Sequence, residues 1–321
     1  MHIMSTLVLD HRDLSLDYEN ECLLIRQPQQ PPRTIPLNRL ARILVMHSVQ
    51  ITTRLIGQCQ HRGVDFIVLN GRHHEHSFAI LACHQRQAAR RVLQYRIASN
   101  EVNALPLAKR LVRHKLAATR RCLRRRNADK DRLASLGACQ QAVKECSSLQ
   151  QLRGIEGNAQ RETFKCWREQ LPAQLGFNRR ERRPPSDPVN VVLSLSFTLL
   201  YQEASRQSLI HGLDPWLGIY HQLTPGRLSL ACDLIEPLRP AIEAWVVQLF
   251  CDGELDKRHF STSGQGCRLG KHGREIYYRL WHDRLPRWTR HLSAYAALFA
   301  RHLEQMAASS QDGANAWNTG T

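Results

Sequence analysis

The spacing of apolar positions changes character along the chain. Leu7-Val8-Leu9, Leu14 to Tyr18 and Cys22 to Ile25 are short apolar or alternating runs separated by polar turns, and Pro31-Pro32 interrupts the series. Runs of this kind predict strands. Arg42 to Met46 and Val64 to Leu69, the latter closed by Asn70-Gly71, read as buried strands, with a short helix from Thr52 to Cys59 between them. From about His84 the pattern turns helical. Val92, Leu93, Tyr95 and Ile97 mark one buried face, and Leu107, Leu111, Leu116 and Ala117 mark the next. Asp187 followed by Pro188 is a helix start, an N-cap oxygen and then proline at the first helical position. The helix it opens, Val189 to about Ala204, is apolar nearly all round, which argues for a central buried element. Residues 252–274 are Gly-, Ser- and Lys-rich and read as a loop or hairpin. The pattern therefore predicts an α+β chain: a small β-rich N-terminal domain over residues 1–83, a larger all-α domain over 84–306, and a small, polar, disordered tail over 307–321.

Composition narrows what such a chain can be. With 321 residues, 42% of them hydrophobic, it can bury a substantial core. The most apolar run, Val189 to Tyr201, is broken by Asn190, Ser194, Ser196 and Thr198, and falls short of the ~20 residues of a spanning helix. The opening residues lack the apolar stretch of a secretory signal. Ten cysteines are scattered without a single CxxC. That fits reduced thiols in a cytoplasmic protein, and neither a zinc site nor a disulfide framework.

Charge adds a partner. Forty-five Lys and Arg oppose 28 Asp and Glu, for a formal net charge of +17, which favours a polyanion, and nucleic acid over membrane because no apolar anchor lies beside the basic residues. The densest run is Lys109, Arg110, Arg113, Lys115, Arg120, Arg121, Arg124, Arg125 and Arg126. Almost no acid interleaves it, so intrahelical ion pairs cannot absorb the charge. It reads as a phosphate-contacting face without base readout; the alternative is a solvated face. The proline-rich loop with Arg179, Arg180, Arg182 and Arg183, and Arg227 further on, are candidates of the same kind.

Three places in the helical half could carry chemistry. In Arg153-Gly154-Ile155-Glu156-Gly157 a glutamate lies between two glycines at a helix entrance. Each glycine costs a helix roughly 1 kcal/mol, which points to close packing or backbone approach there, with Glu156 facing a cavity. The alternative is a helix-start glutamate favoured by the dipole. In Gly218-Ile219-Tyr220-His221 the histidine is either a ligand or a packing residue. In Cys232-Asp233-Leu234-Ile235-Glu236-Pro237 two carboxylates three apart share a helix face, and Leu230, Leu234 and Ile235 bury much of it. Paired carboxylates on an apolar surface repel one another and are costly to desolvate. A cation relieves both penalties; so does a solvated edge, or pairing to Arg227 or Arg239. Together the three places suggest a mixed oxygen and nitrogen set suited to Mg²⁺ or Mn²⁺. Beside a basic surface, such an ion would polarise a phosphodiester and activate a water or hydroxyl.

Four segments, in this order and spacing, carry a resemblance. LRGIEGNAQRETF (152–164), FNRRERRPPSDPVNVVLSLSFTLLY (177–201), GLDPWLGIYHQ (212–222) and GRLSLACDLIEPLRP (226–240) resemble the CRISPR-associated integrase of the spacer-acquisition module, the large endonuclease-like subunit. LVLD, IPLNRLARILVMHSVQITT and RGVDFIVLN are similar to that family's β-domain, so the likeness covers nearly the whole chain. The resemblance implies metal ligands at Glu156, His221 and Glu236, with Asp233 the additional acidic residue of the catalytic set. The family carries Asp or Glu at the position of Glu236, and His211 does not fall on a ligand position. It implies transesterification by a protospacer 3′-hydroxyl at the repeat boundary of a CRISPR array, or hydrolysis when water attacks. It implies a homodimer, with the N-terminal domain as the dimerisation unit, and a small ferredoxin-like partner bridging two dimers. ETFKCWREQL and SLACDLIEPLRP resemble the branch associated with type III systems, some of it linked to a reverse transcriptase, which here would be a separate chain. Two other readings stand beside this one: a structure-selective DNA nuclease in repair, and a non-catalytic DNA-binding subunit.

Overall fold

In the computed structural model, which describes residues 5–69, 77–80, 88–182, 184–263 and 266–318, the alternating segments near the N-terminus form two four-stranded sheets. One has β1 (Ser5–Leu9), β5 (Leu40–Val45) and β7 (Asp65–Val68) in parallel, with β8 (Phe78–Ile80) antiparallel at the edge. The other has the order β4-β3-β2-β6, from β2 (Ser15–Glu19), β3 (Cys22–Arg26), β4 (Arg33–Pro36) and β6 (Gln50–Ile51). The β2–β3 hairpin turns on Asn20 and Glu21, both at positive φ (47° and 65°), and Glu19 pairs with Cys22. Two consecutive positive-φ residues match the right-handed twist of the flanking strands. Helix α1 (Thr53–Arg62) is capped by Thr52, whose hydroxyl accepts from Leu55 N and donates to Asp17 at 2.7 Å; Gly63, at φ 72°, closes it. Leu16, Leu23, Ile43, Leu55 and Val64 meet in the core with no exposure. Strands β4, β6 and β8 were not legible in the apolar pattern: each is short, and β4 ends on a proline. Asn70-Gly71 lies outside the described residues.

The remainder is helical, and the chain divides into compact units at Gln85/Arg86. The elements are α2 (Ala88–Ala98), α3 (Glu101–Arg125), α4 (Lys130–Glu145), α5 (Leu149–Gln170), α6 (Pro188–Ile210), α7 (Ser229–Ile235), α8 (Arg239–Cys251) and α9 (Lys271–Asn318). A hairpin of β9 (Phe260–Ser263) and β10 (Gly266–Leu269) falls within the stretch read as loop or hairpin. The α+β class expected from the pattern, β-rich first and helical after, is the one observed. Helix α6 is the buried centre: Asp187 caps it by accepting from Asn190 N at 2.9 Å, Pro188 follows, and Val192, Leu200 and Ala204 have no exposure. Around it Trp245 packs within 5.1–5.9 Å, ring to ring, of Tyr277, Trp281 and Trp288. The Tyr277 hydroxyl meets Ser196 Oγ at 2.9 Å, so the aromatic cluster keeps its polar atom paired.

Two local expectations need correction. Glu156 is not at a helix entrance: α5 starts at Leu149 under a Ser148 cap, which puts Glu156 two turns in. Val92 and Tyr95, expected on a buried face, are exposed, and Gln94 and Ile97 are the buried residues of α2. Helix α9 runs to Asn318. The nine cysteines among the described residues are all free, and no described helix is long and apolar enough to cross a membrane.

Candidate active site

Four elements bring side chains to one point. Helix α3 supplies Lys115, α5 supplies Glu156, the 211–228 loop supplies His221, and α7 with the short 3₁₀ turn Glu236–Leu238 supplies Asp233 and Glu236. The loop is fixed by Asp233. Its Oδ2 accepts from the backbone N–H of Ile219 (2.6 Å) and Tyr220 (3.0 Å), and its Oδ1 from the backbone N–H of His221 (2.9 Å). Three successive amides on one buried carboxylate form an anion nest that sets the loop's path. Gly218 makes the approach possible: a Cβ there would lie 2.8 Å from Asp233 Oδ2 and 2.9 Å from the His221 carbonyl oxygen and the Ser229 carbonyl carbon.

The same carboxylate orients the imidazole. Asp233 Oδ1 also accepts from His221 Nδ1 at 2.7 Å. In the neutral ring the lone pair then falls on Nε2, which faces Glu236 Oε1 at 3.7 Å. A histidine held through its other nitrogen by a carboxylate is the arrangement that orients a metal-ligating ring. Asp233 thus acts through the loop and the ring, and is a positioning residue.

Lys115 closes the cluster from behind. Its Nζ donates to Glu156 and, at 2.6 Å, to Glu236 Oε2. Arg239, the first residue of α8, brings Nε to 2.9 Å from Glu236 Oε1. Burial alone would push the Glu236 carboxyl up; Arg239, Lys115 and His221 outweigh it and hold the value at about 2. Burial likewise works against the Lys115 ammonium, and Glu236 and Glu156 reverse it, so its pKa is raised. Behind Glu236, Glu243 is also buried; its carboxylate accepts from Gln160 (3.0 Å) and Trp167 (3.3 Å). Burial raises its pKa.

Two carboxylates and an imidazole nitrogen are a donor set suited to a hard divalent ion, and an ammonium already stands as a cation between the carboxylates. No group of three or more His, Cys, Asp or Glu side chains among the described residues is arranged to hold an ion. The chemistry of the residues fits a divalent metal, and the arrangement is closed on Lys115.

The structure brings Glu156, His221, Asp233 and Glu236 together, and sorts the basic candidates. Lys115 is buried and cannot serve as a surface phosphate contact; its place on the stripe Ala104, Ala108, Val112, Leu116, Thr119 and Leu123 was the available signal. Arg120 is held by Gln140 (2.8 Å), Arg126 by Gln170 (2.6 Å), and Arg180 by Asn190 and Ser194 (both 2.9 Å). Arg227 donates to the Gln222 carbonyl and braces the loop. Arg113, Arg121, Arg124, Arg125, Arg179 and Arg182 are exposed, and Arg183 lies outside the described residues. The sequence reading missed Gly218, which it quoted without a role, and Arg239 as a site residue. The glycines beside Glu156 meet nothing within 4 Å of a built Cβ, so they do not mark close packing within the chain.

Comparison with known proteins places the chain in a family and a fold. The model of the family "CRISPR associated protein Cas1" matches residues 7–283. A CRISPR-associated endonuclease Cas1 of Thermodesulfovibrio yellowstonii is 32% identical over 289 residues, covering 87% of this chain and 90% of the relative. Among solved structures, TM1797, a Cas1 protein from Thermotoga maritima, superposes with a TM-score of 0.85 at 19% identity, over 93% of this chain and 97% of the other. A chain of a Cas6-RT-Cas1–Cas2 complex superposes with a TM-score of 0.84 at 22% identity, over 95% of this chain and 35% of that one.

Proposed function

The chain belongs to the Cas1 family of CRISPR-associated endonucleases and spacer-acquisition integrases, and from that premise we propose that it joins protospacer DNA to a CRISPR array by metal-dependent transesterification. The observation that carries the reading is the convergence of Glu156, His221 and Glu236 from three separate elements, with Asp233 fixing the histidine. The attacking 3′-oxygen forms a new bond to the phosphorus at the repeat boundary. The bond from phosphorus to the displaced 3′-oxygen breaks, so phosphodiesters are conserved and no nucleotide is hydrolysed. Glu156, His221 Nε2 and Glu236 would hold Mg²⁺ or Mn²⁺, which when bound stabilises the charge on the transferring phosphoryl group and lowers the pKa of the attacking hydroxyl or water.

The remaining work is done by the chain's own groups. Asp233 keeps the proton on His221 Nδ1 and Nε2 free toward the site. Arg239 and Lys115 keep Glu236 ionised inside a buried pocket. Arg113, Arg121, Arg124, Arg125, Arg179 and Arg182 offer exposed cations to phosphates outside the site. The chain acts as a homodimer through its β-rich domain, and a small ferredoxin-like subunit bridges two dimers. A solved Cas6-RT-Cas1–Cas2 complex that contains a chain of this fold supports a partner subunit of that kind.

The test is a strand-transfer assay. It uses a labelled duplex with free 3′-hydroxyl ends and a plasmid bearing a repeat, in Mg²⁺ or Mn²⁺ against EDTA, with and without the small subunit. Metal-dependent joining at the repeat boundary is expected, abolished in Glu156→Ala and His221→Ala with DNA binding retained. Metal-dependent cutting of branched DNA without joining would favour a repair nuclease. Tight DNA binding with neither activity would leave an architectural subunit.

A further inference from the structure

Lys115 has a place that neither surface binding nor simple packing explains. Its Nζ bridges Glu156 Oε1 and Glu236 Oε2, the two carboxylates of the site. The side chains of Lys115 and Glu236 are each 5% exposed, against 20% for Glu156 and 25% for His221. The carboxylate pair is therefore gripped from the interior and reachable from solvent past Glu156 and His221. A divalent ion of this class sits about 2.0–2.2 Å from carboxylate oxygens. An ammonium hydrogen-bonded to the same two carboxylates lies within a few ångströms of any such ion, where like charges in a buried setting repel strongly. Among the described residues no three donors are arranged to hold an ion, and the ammonium stands between the two carboxylates.

We infer that Lys115 is the resident cation of the site, competing with the divalent ion for Glu156 and Glu236. The inference rests on the metal-site reading above. In the metal-free protein the ammonium neutralises a carboxylate pair that would otherwise repel. Loading the ion requires the ammonium to give up at least one carboxylate.

The experiment measures Mn²⁺ binding to the full chain without DNA, by electron paramagnetic resonance titration, with thermal midpoints in EDTA and in Mn²⁺. Wild type, Lys115→Met, Lys115→Arg and His221→Ala are compared. Removing a unit charge next to a bound ion should tighten Mn²⁺ binding by about tenfold or more in Lys115→Met. The same variant should melt below wild type in EDTA and recover most of that loss in Mn²⁺, because the ion replaces the missing ammonium. Lys115→Arg, which keeps the charge, should not gain affinity. Mn²⁺ affinity in Lys115→Met that is unchanged or weaker, while His221→Ala has lost binding, overturns the inference and leaves the metal site standing. Absence of Mn²⁺ binding in wild type and Lys115→Met alike removes both. Should Lys115→Met fail to fold in EDTA, folding restored by Mn²⁺ supports the inference, and failure in both conditions refutes it.

Discussion

Replacing Asp233 by asparagine separates a positioning role from a direct one. The carboxylate is 3% exposed and accepts four hydrogen bonds. Ile219 and Tyr220 N–H go to Oδ2, and His221 N–H and Nδ1 go to Oδ1. Asparagine keeps one oxygen, and its NH₂ cannot accept. If the oxygen stays toward His221, the Ile219 and Tyr220 amides are orphaned; if it flips, the His221 amide and ring lose their acceptor. Two unsatisfied buried donors cost about 1–3 kcal/mol each, hence about 2–6 kcal/mol in all. That is a large part of the roughly 5–15 kcal/mol that holds a domain together. At about 2–4 °C per kcal/mol for a unit of this size, the thermal midpoint should fall by roughly 4–24 °C. Calorimetry on metal-free protein reads this, and strand transfer measured well below the lower midpoint should also be strongly reduced. An Asp233→Asn chain that melts within a degree of wild type would refute the nest. If it were also inactive, Asp233 would act on the reacting atoms and not through the loop.

Gly218→Ala should lower stability by about 1–3 kcal/mol, since the new methyl meets backbone atoms that cannot yield cheaply, and urea melts at neutral pH check it. Gly154→Ala and Gly157→Ala should do the opposite, raising stability by about 0.5–1 kcal/mol each, because a built Cβ meets nothing within 4 Å at either site; loss of that gain in melts would show the helix strained there. His211, whose ring nitrogen Nε2 meets Ser293 Oγ at 2.9 Å, has its pKa lowered from 6.5 by burial and by Arg90. Its neutral form therefore stabilises the fold above about pH 6.5, and that contribution is lost as pH falls through the lowered value; His211→Gln should flatten the decline in stability between about pH 7 and pH 5, and an unchanged profile refutes the assignment. Neutralising Arg113, Arg121, Arg124 and Arg125 together should weaken DNA binding for all sequences alike and flatten its salt dependence; an unchanged slope would place DNA elsewhere.

What could be read beforehand followed from how local each signal is. The Asp187–Pro188 cap and the apolar circumference of α6 are properties of adjacent residues, and the helix forms as they require. The hairpin strand β2 alternates and β3 is a short continuous apolar run, each within five residues, and both were equally visible. Strand β6 is two residues long and exists through its parallel pairing with β2, which no local pattern encodes. The same divide runs through the site. Asp233 and Glu236 are three apart, so their proximity was available from spacing. Lys115 meets Glu236 across 121 positions and Glu156 across 41. Within a run of arginines it read as one more surface cation, although its neighbours at helical spacing are buried. Charge composition dominated burial periodicity there, and the structure reverses that order.

The two roles of α3 are set by its geometry. At 3.6 residues per turn, Arg113 and Arg124 stand roughly 160° and 180° around the helix from Lys115. Lys115 faces the carboxylates while those arginines face solvent. A helix with its side chains is about 10–12 Å across, so a phosphate on the arginine face is about one helix diameter from the reacting centre. Those arginines can hold the flanking duplex, but they cannot touch the phosphodiester being exchanged. Beside the carboxylates, Lys115 and Arg239 are both engaged with Glu236. The cations of α3 thus divide by burial into exposed arginines, which on the proposed function would gather DNA at a distance, and a lysine committed to the carboxylates. Losing the first should change affinity and its salt dependence, whereas losing the second should change metal loading and the chemical step.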